Sequence, residues 1–114
     1  MKTLLLITVL LLTGCATPQE FMQAPPDAQL QHKLPPEAAA LCMTRNLEKL
    51  SPAIISDRRP GATGGWELIA RITDTIFAIA QLQPAGTGSN STIWMAMPVF
   101  TTTQANVTRM TEGC

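Results

Sequence analysis

Residues 66–97 read WELIARITDTIFAIAQLQPAGTGSNSTIWMAM, and their three apolar segments, separated by two turns, specify a β-sheet. Residues 66–73 alternate between apolar and polar side chains, with Ile69 as the exception, which is typical of a strand with one buried face. Residues 75–82 are apolar on both faces, as expected of a central strand covered on both sides. The sequence therefore predicts two neighbouring strands at the centre of the sheet.

Turn signals between these segments predict how the strands pair. A tight reversal near residues 73–74 pairs the first two as an antiparallel hairpin, and residues 84–90, PAGTGSN, form a second turn. Residues 92–97 are the third main strand, which Pro98 ends. Residues 53–56 are a short candidate for a fourth strand.

A helix is predicted before the strands. Pro36 suits the first helical position, Glu37 complements the positive N-terminal end, and residues 51–52, Ser-Pro, end the helix. Apolar side chains recur at helical spacing and predict one buried face: Ala40, Met43, Leu47 and Leu50. Residues 57–65, DRRPGATGG, are predicted to be an exposed loop.

The C-terminal segment fits a short helix better than an edge strand. Thr101 and Gln104 match a capping box, and Val107 and Met110 share one helical face. An edge strand remains the alternative.

The predicted fold class is a small α+β domain over residues 37–114. An N-terminal helix packs on a three- or four-stranded antiparallel sheet, with a short C-terminal helix and one disulfide. Trp66 and Trp94 are assigned to the core rather than to an exposed binding surface, because the chain contains few other aromatic residues.

Residues 15–36 are predicted to form a tether. They hold five of the nine prolines, which favour extended backbone, so the segment could reach about 65 Å. Its apolar residues are too sparse to form a core, although they could dock on the domain or on a partner: Phe21, Met22 and Leu30. His32, the only histidine, is interpreted as a solvated tether residue rather than a metal ligand or pH sensor.

The N-terminus carries a targeting signal. Lys2 gives a positive start, residues 4–12 are an apolar run too short to span a bilayer, and small residues precede Cys15. Leu12-Thr13-Gly14-Cys15 resembles the lipobox of bacterial lipoproteins. An ordinary secretory signal with a chance cysteine is the alternative.

The lipobox resemblance has consequences for processing and location. It implies that residues 1–14 are a cleaved signal peptide, that Cys15 receives diacylglycerol on sulfur, and that its new amine is acylated. Ala16, instead of the Asp common in lipoproteins of the inner membrane, favours the outer membrane, with the domain facing the periplasm. The lipid on Cys15 would be the contact with the membrane, since several acyl chains anchor firmly.

Two cysteines remain for a disulfide. Cys42 lies in the predicted helix and Cys114 is far from it in sequence, and the envelope beyond the inner membrane is oxidising. We predict an intramolecular Cys42–Cys114 bridge, with an intermolecular bridge through Cys114 as the alternative. Neither cysteine has the neighbouring residues that a thiol nucleophile or a metal site needs.

Composition argues for binding rather than catalysis. Eight basic and eight acidic residues balance, so no cationic surface is available for nucleic acid. No acid–base pair, Ser–His triad, phosphate loop, metal cluster or cofactor motif is recognisable, and no small-molecule substrate is indicated. We expect a non-enzymatic accessory that binds another envelope protein. The alternative is a lipid-anchored periplasmic inhibitor of a hydrolase such as lysozyme; Arg58 and Arg59, in the predicted loop, are the candidate partner-binding residues in either case.

Overall fold

The computed structural model describes residues 17–96 and 101–114. Cys15, the predicted signal peptide and Pro98 lie outside the described residues. The elements follow in the order α1 (Pro18–Phe21), β1 (Ala28–His32), α2 (Pro36–Leu50), β2 (Ile54–Pro60), a 3-10 turn (Ala62–Gly64), β3 (Trp66–Ile72), β4 (Thr75–Ala85), β5 (Gly88–Met95) and α3 (Thr103–Thr111).

The five strands form one antiparallel sheet with the order β1-β5-β4-β3-β2. The predicted α+β class and the antiparallel sheet are confirmed, whereas the prediction of three or four strands is wrong. Strand β4 is central, which explains why its sequence is apolar on both faces. The α2 helix is the third element rather than the first, because α1 and β1 precede it.

The two predicted turns join β3, β4 and β5. Thr73 has a φ of 59° in the reversal that brings Ile72 opposite Thr75. Gly86 has a φ of 61°, in the left-handed region that glycine adopts without strain, and the strands close with Ala85 opposite Gly88. The first reversal is as tight as predicted, whereas the second is shorter than the predicted turn over residues 84–90, because β4 continues to Ala85 and β5 begins at Gly88.

Helices α2 and α3 cover one face of the sheet. Pro36 is the first helical residue of α2, as predicted, and the predicted stripe is buried except for Leu50, which is partly buried. The C-terminal helix is also confirmed. Its cap is Thr102 rather than Thr101, because the Thr102 hydroxyl accepts a hydrogen bond from the Ala105 backbone N–H.

The domain extends further toward the N-terminus than residue 37. Residues 28–32, which were predicted to lie in an extended tether, pair with β5 as strand β1. Leu30 packs against the main core, and Gly88 lies so close to the His32 carbonyl that a side chain there would collide with it. The missed strand has few apolar residues because it is an edge strand, and the neighbouring strand supplies its hydrogen bonds.

Strand β2 is longer than predicted. Residues 57–60, placed in a loop by their charge and proline, continue the strand along β3. None of the helices within the described ranges, 17–96 and 101–114, has the length and apolar character needed to cross a membrane.

Candidate functional site

The face of the sheet opposite the two helices carries its own apolar cluster. Its four side chains are at most 8 % exposed: Ile69, Ile76, Ile79 and Trp94. We call this the second face. It explains the exception in the β3 pattern, because Ile69 points away from the helices and is still buried.

Residues 17–27, here called the N-terminal segment, cover the second face. Phe21 and Met22 pack on the apolar cluster, although both remain partly exposed. The Trp94 indole N–H donates a hydrogen bond to the Ala24 carbonyl over 2.8 Å. The sequence allowed Phe21 and Met22 to pack either on the domain or on a partner, and in the structure they pack on the domain.

Asp27 fixes the end of the N-terminal segment to β5. Its backbone N–H donates to the Ile93 carbonyl over 2.8 Å, and its carboxylate accepts from the Met95 N–H over 2.7 Å. Residues 28–32 then continue as β1. The chain from Phe21 to His32 is thus attached to the sheet by side-chain packing, by three hydrogen bonds and by strand pairing.

The start of the segment is fixed by a capping box. The Thr17 N–H donates to Glu20 Oε1 over 3.0 Å, and the Glu20 N–H donates to Thr17 Oγ1 over 3.2 Å. Pro18 occupies the first helical position, where its missing N–H costs nothing. The Thr-Pro-Gln-Glu spacing at residues 17–20 is the sequence signal that could have identified α1.

His32 is not a solvated tether residue. It lies half-buried on β1, with Nε2 2.6 Å from the Ser91 hydroxyl oxygen, and burial lowers its pKa below the ordinary 6.5. Ser91 is only 2 % exposed, so its hydroxyl is closed to any substrate. The pair has the atoms of a Ser–His dyad but lacks the access that a nucleophile needs.

The Cys42–Cys114 disulfide is confirmed. The two Cα atoms are 5.7 Å apart across a sequence separation of 72 residues. Asn46 lies one turn from Cys42 and donates from Nδ2 to the carbonyls of Met110 and Glu112, both over 2.9 Å. The bridge and these two hydrogen bonds hold the end of α3 against α2.

Arg58 and Arg59 do not form a shared cationic cluster. They are consecutive in β2, so their side chains point to opposite faces of the sheet. Arg59 pairs with Glu67, with Nη2 2.7 Å from Oε1, while Ile55, on the same strand, is 69 % exposed. The exposed feature of β2 that sequence reasoning missed is therefore an apolar side chain.

Among the described residues, no group of three or more His, Cys, Asp or Glu side chains is placed to hold a metal ion. Comparison of the chain with family models, with curated proteins and with solved structures found no match.

Proposed function

We propose that this chain is a lipid-anchored protein of the bacterial envelope, acylated at Cys15 and held at the outer membrane with its domain in the periplasm. The observation that carries the proposal is the order of signals in residues 2–15: a positive charge, a short apolar run, and Leu-Thr-Gly-Cys. These signals occur in the order that the lipobox resemblance implies, and they point to Cys15 as the acylated residue.

The disulfide supports an address outside the cytoplasm. Structural disulfides persist in oxidising compartments such as the periplasm and are rare where thiols are kept reduced. Cys42 and Cys114 are bonded to each other, so Cys15 is the one cysteine among these 114 residues that is left without a disulfide partner in the sequence. Acylation gives that third cysteine a role.

We assign the domain a binding role rather than a catalytic one. Strand β2 supports this, because in the described part of the chain it is an edge strand that pairs with β3 alone. Its outer side offers backbone groups to an extended segment of a partner protein. Exposed Ile55 and Arg58 flank that edge on opposite faces. The inhibitor alternative has less support, because residues 57–60 form a strand instead of a loop that could enter a catalytic cleft.

The anchor is tested with Cys15→Ser. This variant is expected to lose metabolic lipid labelling and to keep the mass of the uncut precursor, because the processing step requires the modified cysteine. Thr13→Ser, which leaves Gly14-Cys15 intact, is the matched control and should be labelled and cut normally. An unchanged mature mass and unchanged membrane extraction in Cys15→Ser would refute the proposal.

A further inference from the structure

We propose that the domain lies directly on the membrane surface, with the N-terminal segment and the second face of the sheet toward the lipid and the two long helices away from it. The inference rests on the proposed acylation of Cys15. It identifies the lipid surface itself as the partner of the second face. The domain would then lie at the membrane instead of at the end of the long tether that the prolines predicted.

The length of chain between the anchor and the domain is the first argument. Cys15 and Thr17 are two residues apart, so their Cα atoms are separated by at most about 7 Å in any conformation. The headgroup layer of a bilayer is itself roughly 5–8 Å thick on each side. Acyl chains on Cys15 must lie in the hydrocarbon, so Thr17 lies at the level of the headgroups or immediately above them.

The rigidity of the N-terminal segment is the second argument. The capping box fixes the backbone of Thr17, and the packing of Phe21 and Met22 joins α1 to the second face. The hydrogen bonds from Trp94 to Ala24 and from Asp27 to Ile93 join the rest of the segment to β5. Lifting the domain from the membrane would require uncovering the second-face cluster, so the position of Thr17 sets the position of the sheet.

The chemistry of the two faces is the third argument. The second face exposes Ile55, and the charges on this part of the face balance, because Arg59 is paired with Glu67 and the remaining Asp57 and Arg71 carry opposite charges. The outer side of α2 has no large exposed apolar side chain. It carries four exposed charged ones: Glu37, Arg45, Glu48 and Lys49. The apolar side chain thus faces the bilayer and the charged helix faces the periplasm.

The test measures which face is near the lipid. In the lipidated, disulfide-bonded protein a single added cysteine is the only free thiol, so Ile55→Cys and Arg45→Cys each accept one small fluorophore. Arg45 is the matched control, because it is exposed on the side of α2 opposite the buried stripe. Each labelled protein is placed in vesicles of phosphatidylethanolamine and phosphatidylglycerol that contain lipids with a nitroxide on the headgroup.

We expect the fluorophore at position 55 to be quenched several-fold more strongly than the one at position 45. Insertion of about 20 Gly and Ser residues between Ala16 and Thr17, with a reach of roughly 25 Å, should make the two labels equally and weakly quenched. The mass of each protein reports its acylation. A lipidated protein quenched equally at both positions, or more strongly at position 45, would overturn the orientation alone, whereas a protein without lipid on Cys15 would overturn the proposed function as well.

Discussion

His32 shows how the fold rather than the neighbouring sequence sets the chemistry of a residue. In sequence it lies among prolines and glutamines, yet on β1 its ring reaches the buried Ser91 hydroxyl and loses part of its contact with water. The desolvation disfavours the charged imidazolium, which is why its pKa is lowered. The nearest basic neighbour in sequence, Lys33, is exposed.

The lowered pKa of His32 predicts a stability that depends on pH. Below about pH 6.5 the unfolded chain binds the proton more readily than the folded protein does, so lowering the pH favours unfolding until both states are protonated. The free energy of unfolding should therefore fall between pH 7.5 and pH 5. His32→Gln, whose amide can still bond to Ser91 and does not titrate, should show a smaller fall.

The measurement is urea unfolding at the two pH values, with the wild-type protein and His32→Gln compared at each. An equal loss of stability in both proteins would show that other groups cause the pH dependence.

At the scale of the elements, the three inner strands could be predicted, whereas of the two edge strands β1 was missed and only the first residues of β2 were predicted. Strand β4 is apolar on both faces, and α2 has a regular apolar stripe, so their own side chains identify them. Strands β1 and β2 contain Gln, Asp and Arg because one side of each meets water, and their pairing comes from β5 and β3. Edge strands are specified by their partners, which a single sequence does not show.

The candidate site was predictable only in part, for the same reason. Ile69 and the two-sided β4 indicated that the second face is covered, and residues 17–20 match a capping box. What covers that face depends on Phe21 and Met22, which are too few to form a pattern. Their contact with the apolar cluster follows from the attachment of the segment to β5 through Asp27 and β1, and β1 had itself been missed.

The disulfide joins two elements that are far apart in sequence, and its loss should loosen α3 more than the sheet. The double variant Cys42→Ser/Cys114→Ser avoids a lone thiol and should lower the free energy of unfolding by about 2–3 kcal/mol, the lower part of the range for small secreted domains. The cost is limited because Asn46 still donates to the carbonyls of Met110 and Glu112. Far-ultraviolet circular dichroism should stay close to that of the wild type.

The comparison uses urea unfolding of the double variant and of the oxidised protein, with Thr108→Ser on the exposed side of α3 as a control for substitution in that helix. A reducible dimer on a non-reducing gel, or no loss of stability, would contradict an intramolecular structural bridge.

At the scale of the whole molecule, the N-terminal segment moves the start of the domain from residue 37 to residue 17. It covers the second face, and β1 completes the sheet on the side of β5, so residues 17–36 contribute to the core although they resemble a linker. The same residues leave little free chain between Cys15 and the fold. Under the proposed acylation of Cys15, a partner protein would therefore meet this domain close to the membrane.

The last prediction concerns the domain boundary. A chain that starts at Thr17 should fold and unfold cooperatively, whereas one that starts at Glu37 should not. The shorter chain loses Ala28 and four large apolar side chains that pack on the two cores: Phe21, Met22, Leu30 and Leu34. Full burial of such a side chain contributes about 1.5–3 kcal/mol, so even partial burial of four is comparable to the ~5–15 kcal/mol stability of a whole domain. Deletion also opens the edge of β5 and uncovers Ile69, Ile79 and Trp94.

Thermal unfolding and proton NMR dispersion distinguish the two chains, with the disulfide intact in both. A Glu37 fragment with sharp dispersion and a cooperative transition near that of the longer chain would show that residues 17–36 are a tether after all.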